Sequence, residues 1–142
     1  MKTFKLISLQ VAEKSGLIDI RLEDGLAINK EDSDRTWLLE AYVAATYEPY
    51  FQALLDAGHE ISLQVVISRA ENDPAYFQAK SLLMKKLADG HLSLLFKGKI
   101  NQANTYPELL LAALIENGLS GQELLREFKE KMLTKPKLSP KK

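Results

Sequence analysis

The chain of 142 residues has no cysteine, only two histidines, one tryptophan and no net formal charge. Without cysteine there is no disulfide framework, thiolate zinc site, iron–sulfur ligation or cysteine nucleophile. Zero net charge argues against a protein that coats nucleic acid by bulk electrostatics. No stretch reaches the ~18–20 consecutive apolar residues that a helical membrane span needs. Lys2 and Lys5 precede an apolar stretch, as in a secretory leader. Ser8 and Gln10 interrupt that stretch and no small-residue cleavage site follows, so a soluble, cytoplasmic protein is expected. Phosphate-loop and dinucleotide glycine patterns are missing, as is the HExxH zinc motif. Gly118-Leu119-Ser120-Gly121 is one residue short of a nucleophile elbow.

What is present is an ordinary globular composition, 46% hydrophobic and 27% charged, at a length that fits one domain. The neutral total hides an asymmetry. Residues 1–125 hold 12 basic and 17 acidic groups, whereas residues 126–142 hold 7 basic and 2 acidic ones. An acidic body therefore carries a basic end.

Alternation of period two dominates the first hundred residues, the mark of half-buried strands. Ile18, Ile20 and Leu22 alternate with Asp19 and Arg21; Ile61, Leu63, Val65 and Ile67 with Ser62 and Gln64; Leu92, Leu94 and Phe96 with His91, Ser93 and Lys97. Glu23-Asp24-Gly25 reads as a three-residue hairpin loop that pairs Leu22 with Leu26 and Ile20 with Ile28, with Gly25 left-handed. Ala88-Asp89-Gly90 repeats the device, placing Leu82 and Met84 beside Leu94 and Phe96. The opening segment changes phase from Phe4 and Leu6 to Ile7, Leu9 and Val11, which predicts a β-bulge. Trp37–Ala45 fits strand and helix templates alike.

Three helices are expected. Tyr47, Tyr50, Phe51, Leu54 and Leu55 share one face of a helix over 47–57, with Thr46 as cap, Pro49 in the first turn and Gly58 at its end. Thr105-Tyr106-Pro107-Glu108 and Ser120-Gly121-Gln122-Glu123 both have the form of a capping box. Asn117-Gly118 separates them, so a helical hairpin of about 106–117 and 121–133 follows. Pro136 and Pro140 then end regular structure in a lysine-rich tail.

Met1-Lys2-Thr3-Phe4-Lys5-Leu6, the run Asp24 to Asp32 followed by Trp37, and Gln64-Val65-Val66-Ile67 leading to Glu71-Asn72-Asp73-Pro74-Ala75 resemble the YwpF-like family of small bacterial proteins. The resemblance covers roughly residues 1–100 and contains no catalytic signature. It implies a β-barrel carrying a pair of helices, similar in shape to the tube-forming proteins of type VI secretion, and it tips Trp37–Ala44 toward strand. No activity, and hence no functional residue, comes with it.

The expected fold is therefore α+β: an antiparallel β-barrel of about seven strands over 1–104 with an inserted helix at 47–57, a helical hairpin over 105–133 and a flexible basic tail over 134–142. Glu31, Asp32 and Asp34 form the densest acidic cluster, and hard cations favour converging oxygens. The spacing fails the EF-hand pattern, so a solvated loop is the stronger account. Asn72 and Asp73 before Pro74 suit a tight connection between strands. Neither histidine has ligand spacing. Lys80, Lys85, Lys86, Lys97 and Lys99 load the late hairpin, in the pattern of a solvated strand face. The run Leu109 to Ile115 is apolar nearly all round and must be covered, within the monomer or by another chain.

These residues predict a non-enzymatic interaction or structural protein, with Leu110, Leu111, Leu114, Phe128 and Met132 as the candidate contact surface. No cofactor, metal or membrane is called for. A protein partner or self-association is expected and nucleic acid is not. The alternative is a binding module for a small ligand or single-stranded nucleic acid, carried by the acidic cluster or the lysine-bearing hairpin.

Overall fold

The alternating segments all become strands in the structure, a computed structural model describing residues 1–101, 106–136 and 138. The strands are β1 (Lys2–Glu13), β2 (Gly16–Ile20), β3 (Asp24–Asn29), β4 (Trp37–Ala44), β5 (Ile61–Ile67), β6 (Ala75–Lys86) and β7 (His91–Ile100). The helices are α1 (Glu48–Ala57), α2 (Tyr106–Glu116) and α3 (Gly121–Thr134). Six strands close an antiparallel barrel in the order β1–β3–β4–β7–β6–β5 and back to β1, while β2 pairs with β1 alone. Closure leaves few unpaired strand edges.

One β1 edge takes β3 along Lys2–Lys5 and β2 along Leu9–Glu13; the other takes β5. The β1–β5 register slips between Leu6 and Ser8, so the phase change in the sequence is a bulge, as expected. The expected hairpin through Glu23-Asp24-Gly25 does not form. Ile20 stands opposite Leu9, and Leu26 stands between Lys5 and Glu40, because a twelve-residue β1 can hold both segments on one edge. Gly25 is not left-handed either. A Cβ there would stand 3.0 Å from Leu6 Cβ and from the Glu40 carbonyl oxygen, so the missing side chain is what matters.

The later hairpin meets its expectation at the turn, where Gly90 has φ +83° and Met84 pairs with Leu94. Leu82 departs from it. A second bulge between Ser81 and Leu83 turns both leucines outward, 48% and 53% exposed.

The interior is filled by the inward member of each alternating pair: Leu9, Val11, Leu39, Leu63, Val65, Phe77, Leu92, Leu94 and Phe96 are all essentially inaccessible. Trp37 packs between Phe4 and Phe77, with ring centroids 6.0 and 5.6 Å away. At the far end of β4 the chain passes through a short 3-10 turn into α1, which drives Phe51 against Phe96. Pro49 lies in the first turn of α1 and Gly58 ends it at φ +68°, as expected. Thr46 does not cap it: it falls inside the 3-10 turn, so Tyr47 holds the cap position with no side-chain bond.

The helical hairpin forms where the composition places it. Gly118 (φ +84°) donates to the Ile115 carbonyl and Leu119 to that of Leu114, a Schellman stop sealed by packing of Leu119 on the hairpin's apolar cluster. Ser120 caps α3 in extended conformation but makes no side-chain bond, so only the geometry of its capping box survives. Thr105 lies outside the described residues, as do 137 and 139–142 of the tail. Lys135 pairs with Asp73 of the β5–β6 connection, and the Tyr106 hydroxyl donates to the Pro136 carbonyl at 2.6 Å.

Candidate functional site

The hairpin holds its own small core. Tyr106, Leu110 and Leu114 are buried against Leu119, Leu124, Phe128, Met132 and Leu138, a cluster separate from the barrel interior. Of the five candidate contact residues, Leu110, Leu114, Phe128 and Met132 therefore join α2 to α3, and Leu111 alone faces outward, 40% exposed. Its neighbours on that side, Ile115 of the apolar run 109–115 and Leu125 on α3, are not among those five. Ile115 and Leu125 are each 54% exposed. Leu111 and Ile115 lie one residue, a turn of about 100°, past the α2 residues that face α3. Leu125 lies one residue past Leu124 on α3, and antiparallel helices send both offsets to the same side. Leu109 has the opposite offset and is 7% exposed. The helices thus present one apolar outer face.

The acidic cluster does not converge. Glu31 pairs with the terminal ammonium at 3.4 Å and with Lys2 at 3.6 Å, while Asp34 stays exposed. Asp32 works on its own loop: its carboxylate accepts from the Thr36 N–H at 2.8 Å and its carbonyl from the Arg35 N–H at 3.1 Å. Glu31 and Arg35 take left-handed φ values of +54° and +56° to turn the chain. Among the described residues no three His, Asp or Glu side chains stand together as a metal cluster. The Thr36 N–H holds the Asp32 carboxyl below its ordinary range. A depressed folded-state value gives stability that is present above the ordinary carboxylate range and lost as pH falls through the folded value. Asp32→Asn is therefore expected to be less stable than wild type at neutral pH and equal to it in strong acid, measured by urea denaturation across pH. A difference that persists unchanged into strong acid would refute the assignment.

Two polar constellations escaped the sequence reading because the fold assembles them from distant strands. Tyr42 on β4 donates to Asp89 in the β6–β7 turn, and His91 stacks on Tyr42 with ring centroids 4.5 Å apart and Nδ1 3.3 Å from Asp89. The Tyr42 hydroxyl is pushed up to about 12, first by that hydrogen bond. Asp89 also accepts from the His91 N–H at 3.2 Å, so the group fastens the turn to β4. The Asp89–His91 spacing around Gly90 was the visible signal.

The second constellation is a row on the outer barrel wall. Asp19, Gln10, Gln64 and Tyr76 stand side by side on β2, β1, β5 and β6. Gln10 donates to Asp19 at 2.7 Å. Gln10, Gln64 and Tyr76 are nonetheless buried, and neither amide atom of Gln64 nor the Tyr76 hydroxyl has a hydrogen-bond partner among the described residues. Burial, followed by the charges of Tyr106 and Asp73, raises the Tyr76 hydroxyl. Tyr106 of α2 is thus close enough to Tyr76, at the end of this row, to act on its hydroxyl.

Comparison with known proteins gives a consistent result over almost the whole chain. A family described as YwpF-like protein matches residues 2–131. A Bacillus subtilis (strain 168) protein named "Uncharacterized protein YwpF" is 33% identical over 136 residues, covering 93% of this chain and all of that protein. A crystal structure of a hypothetical protein from Staphylococcus aureus superposes with a TM-score of 0.68 at 38% identity, covering 97% of each chain.

Proposed function

The chain belongs to the YwpF-like family, and from that premise we propose that it is a non-enzymatic interaction protein that associates through its helical hairpin. The observation that carries this is the apolar outer face of Leu111, Ile115 and Leu125, turned away from the hairpin's own core. Exposed apolar groups grouped on one rigid face mark contact surfaces.

The occupant we assign is a second copy of the same face. Leu111 stands seven residues before Gly118 and Leu125 seven after it; Glu108 stands ten before and Lys129 eleven after. A two-fold axis along the hairpin therefore sets Leu111 against the copy's Leu125 and Glu108 against its Lys129, twice over. Such self-complementarity is what a two-fold interface requires. The likeness in shape to type VI secretion tube proteins, implied by the sequence resemblance, belongs to the same reading, as another barrel that assembles with copies of itself. A soluble, cytoplasmic setting suits such an assembly.

Sedimentation of the intact chain is expected to show a concentration-dependent rise from monomer to dimer mass. Leu111→Asp combined with Leu125→Asp is expected to hold the chain at monomer mass with an unchanged far-ultraviolet spectrum. A wild-type chain that stays monomeric at every concentration overturns the proposal.

A further inference from the structure

Lysines gather on the outer wall of the barrel at a place the hairpin reading does not use. Alternation turns Ala79, Phe96 and Gly98 inward on β6 and β7, which sends Lys80, Lys97 and Lys99 outward. Lys80 and Lys97 are direct cross-strand partners, and Lys99 stands opposite Gln78. Like charges placed directly opposite each other destabilise a sheet. Among the described residues none of the three has an ion-pair partner, whereas nearby Lys86 is held by Glu48 at 2.9 Å.

The wall is also concave there. Lys80, Lys97 and Lys99 line a groove of about 450 Å³ together with Thr36, Gln78 and Leu82. Glu60 is the one acid among the lining residues described. That volume lies in the range of small-ligand sites, roughly 300–1,000 Å³. The bulge between Ser81 and Leu83 shapes it, because it pushes Leu82 out of the ladder as an apolar flank. Residues 1–125 carry a net charge of −5, so this cluster of cations runs against the charge of the body that bears it.

We infer that this groove is a binding site for a small phosphorylated molecule. The ammonium groups of Lys80, Lys97 and Lys99 hold the phosphate oxygens as point charges. Gln78, whose amide donates to Ser62 at 2.8 Å, and Thr36 border the site, and Leu82 covers the organic part. An anion between Lys80 and Lys97 would turn an unfavourable cross-strand pair into a favourable three-group cluster, and the groove then gives that pair its role.

Tripolyphosphate is the probe, with sodium chloride at matched ionic strength as the control. The intact wild-type chain is expected to show a saturable rise in Tm with tripolyphosphate and none with the salt control. Lys97→Gln and Lys80→Gln are each expected to weaken the midpoint by about tenfold, while Lys14→Gln, in the β1–β2 turn, leaves it unchanged. Without ligand, Lys97→Gln is expected to melt at or above the wild-type Tm because the like-charge pair is relieved, which shows that the variant is folded. A Tm rise matched by salt, or one that survives Lys97→Gln undiminished, overturns the inference. Binding of a short oligothymidylate without any response to tripolyphosphate would also overturn it, in favour of nucleic acid.

Discussion

Gly98→Ala is expected to cost the barrel ~3 kcal/mol, a large share of the total stability of a single domain. Gly98 faces inward on β7, between Ala79 of β6 and Trp37 of β4. A Cβ built there would stand 2.6 Å from Ala79 Cβ and 2.7 Å from Ala79 Cα, and closer still to the Gln78 carbonyl oxygen. Two of these atoms are backbone and none is the free end of a side chain, so relief requires β6 and β7 to move apart. They are hydrogen-bonded neighbours in a closed barrel, where a strand cannot shift without disturbing the ring. The glycine lets β7 approach the backbone of β6 at Ala79, while its partner across β4 is the bulky Trp37. Urea denaturation followed by the fluorescence of this single tryptophan reads the loss at the site. Gly118→Ala serves as contrast: it has open space around its Cβ position and only its left-handed φ to penalise it, about 1 kcal/mol. Equal losses in the two variants would show that packing at Gly98 is looser than its distances imply.

The sequence carried more of this fold than of its surfaces, for a physical reason that particular residues illustrate. Leu63, Val65, Leu92, Leu94 and Phe96 declare their strands because period-two burial is a local property, repeated every second residue. Gly90 and Gly58 declare their turns because a left-handed residue is a local requirement. Partner choice is not local. Ile18–Leu22 and Leu26–Ile28 look like two arms of a hairpin, and only the length of β1 decides that both lie along it instead. The hairpin residues show the same limit. Leu110, Leu111, Leu114, Phe128 and Met132 are all apolar on helices, and which of them face the sister helix depends on how the two helices are turned against each other. The Lys80–Lys97 pair and the Gln10–Gln64–Tyr76 row were invisible for the same reason, since their members lie 12 to 66 residues apart and meet only through register.

That row yields a prediction whose sign runs against ordinary expectation for a buried residue: Gln64→Leu is expected to stabilise the protein by about 2 kcal/mol, a Tm rise of roughly 5–8 °C. Gln64 is fully buried and lies on the outer face of β5, between the inward residues Leu63 and Val65. Its Nε2 and Oε1 atoms find no hydrogen-bond partner among the described residues. In the unfolded chain both are hydrated, so folding strips water from a carboxamide and returns nothing for it. Leucine has a similar volume and no polar atom, which removes the penalty and adds apolar contact at a fully buried position. Gln10 is the control. Its amide donates to Asp19 at 2.7 Å, so Gln10→Leu breaks an existing bond as well as removing its unpaired Oε1, and is expected to gain less or to lose stability. Thermal melts of the two variants beside wild type decide the matter. A Gln64→Leu chain that melts below wild type would mean that ordered water satisfies the amide in solution. A clear gain would mean that the chain tolerates an unpaired buried amide at a standing cost in stability.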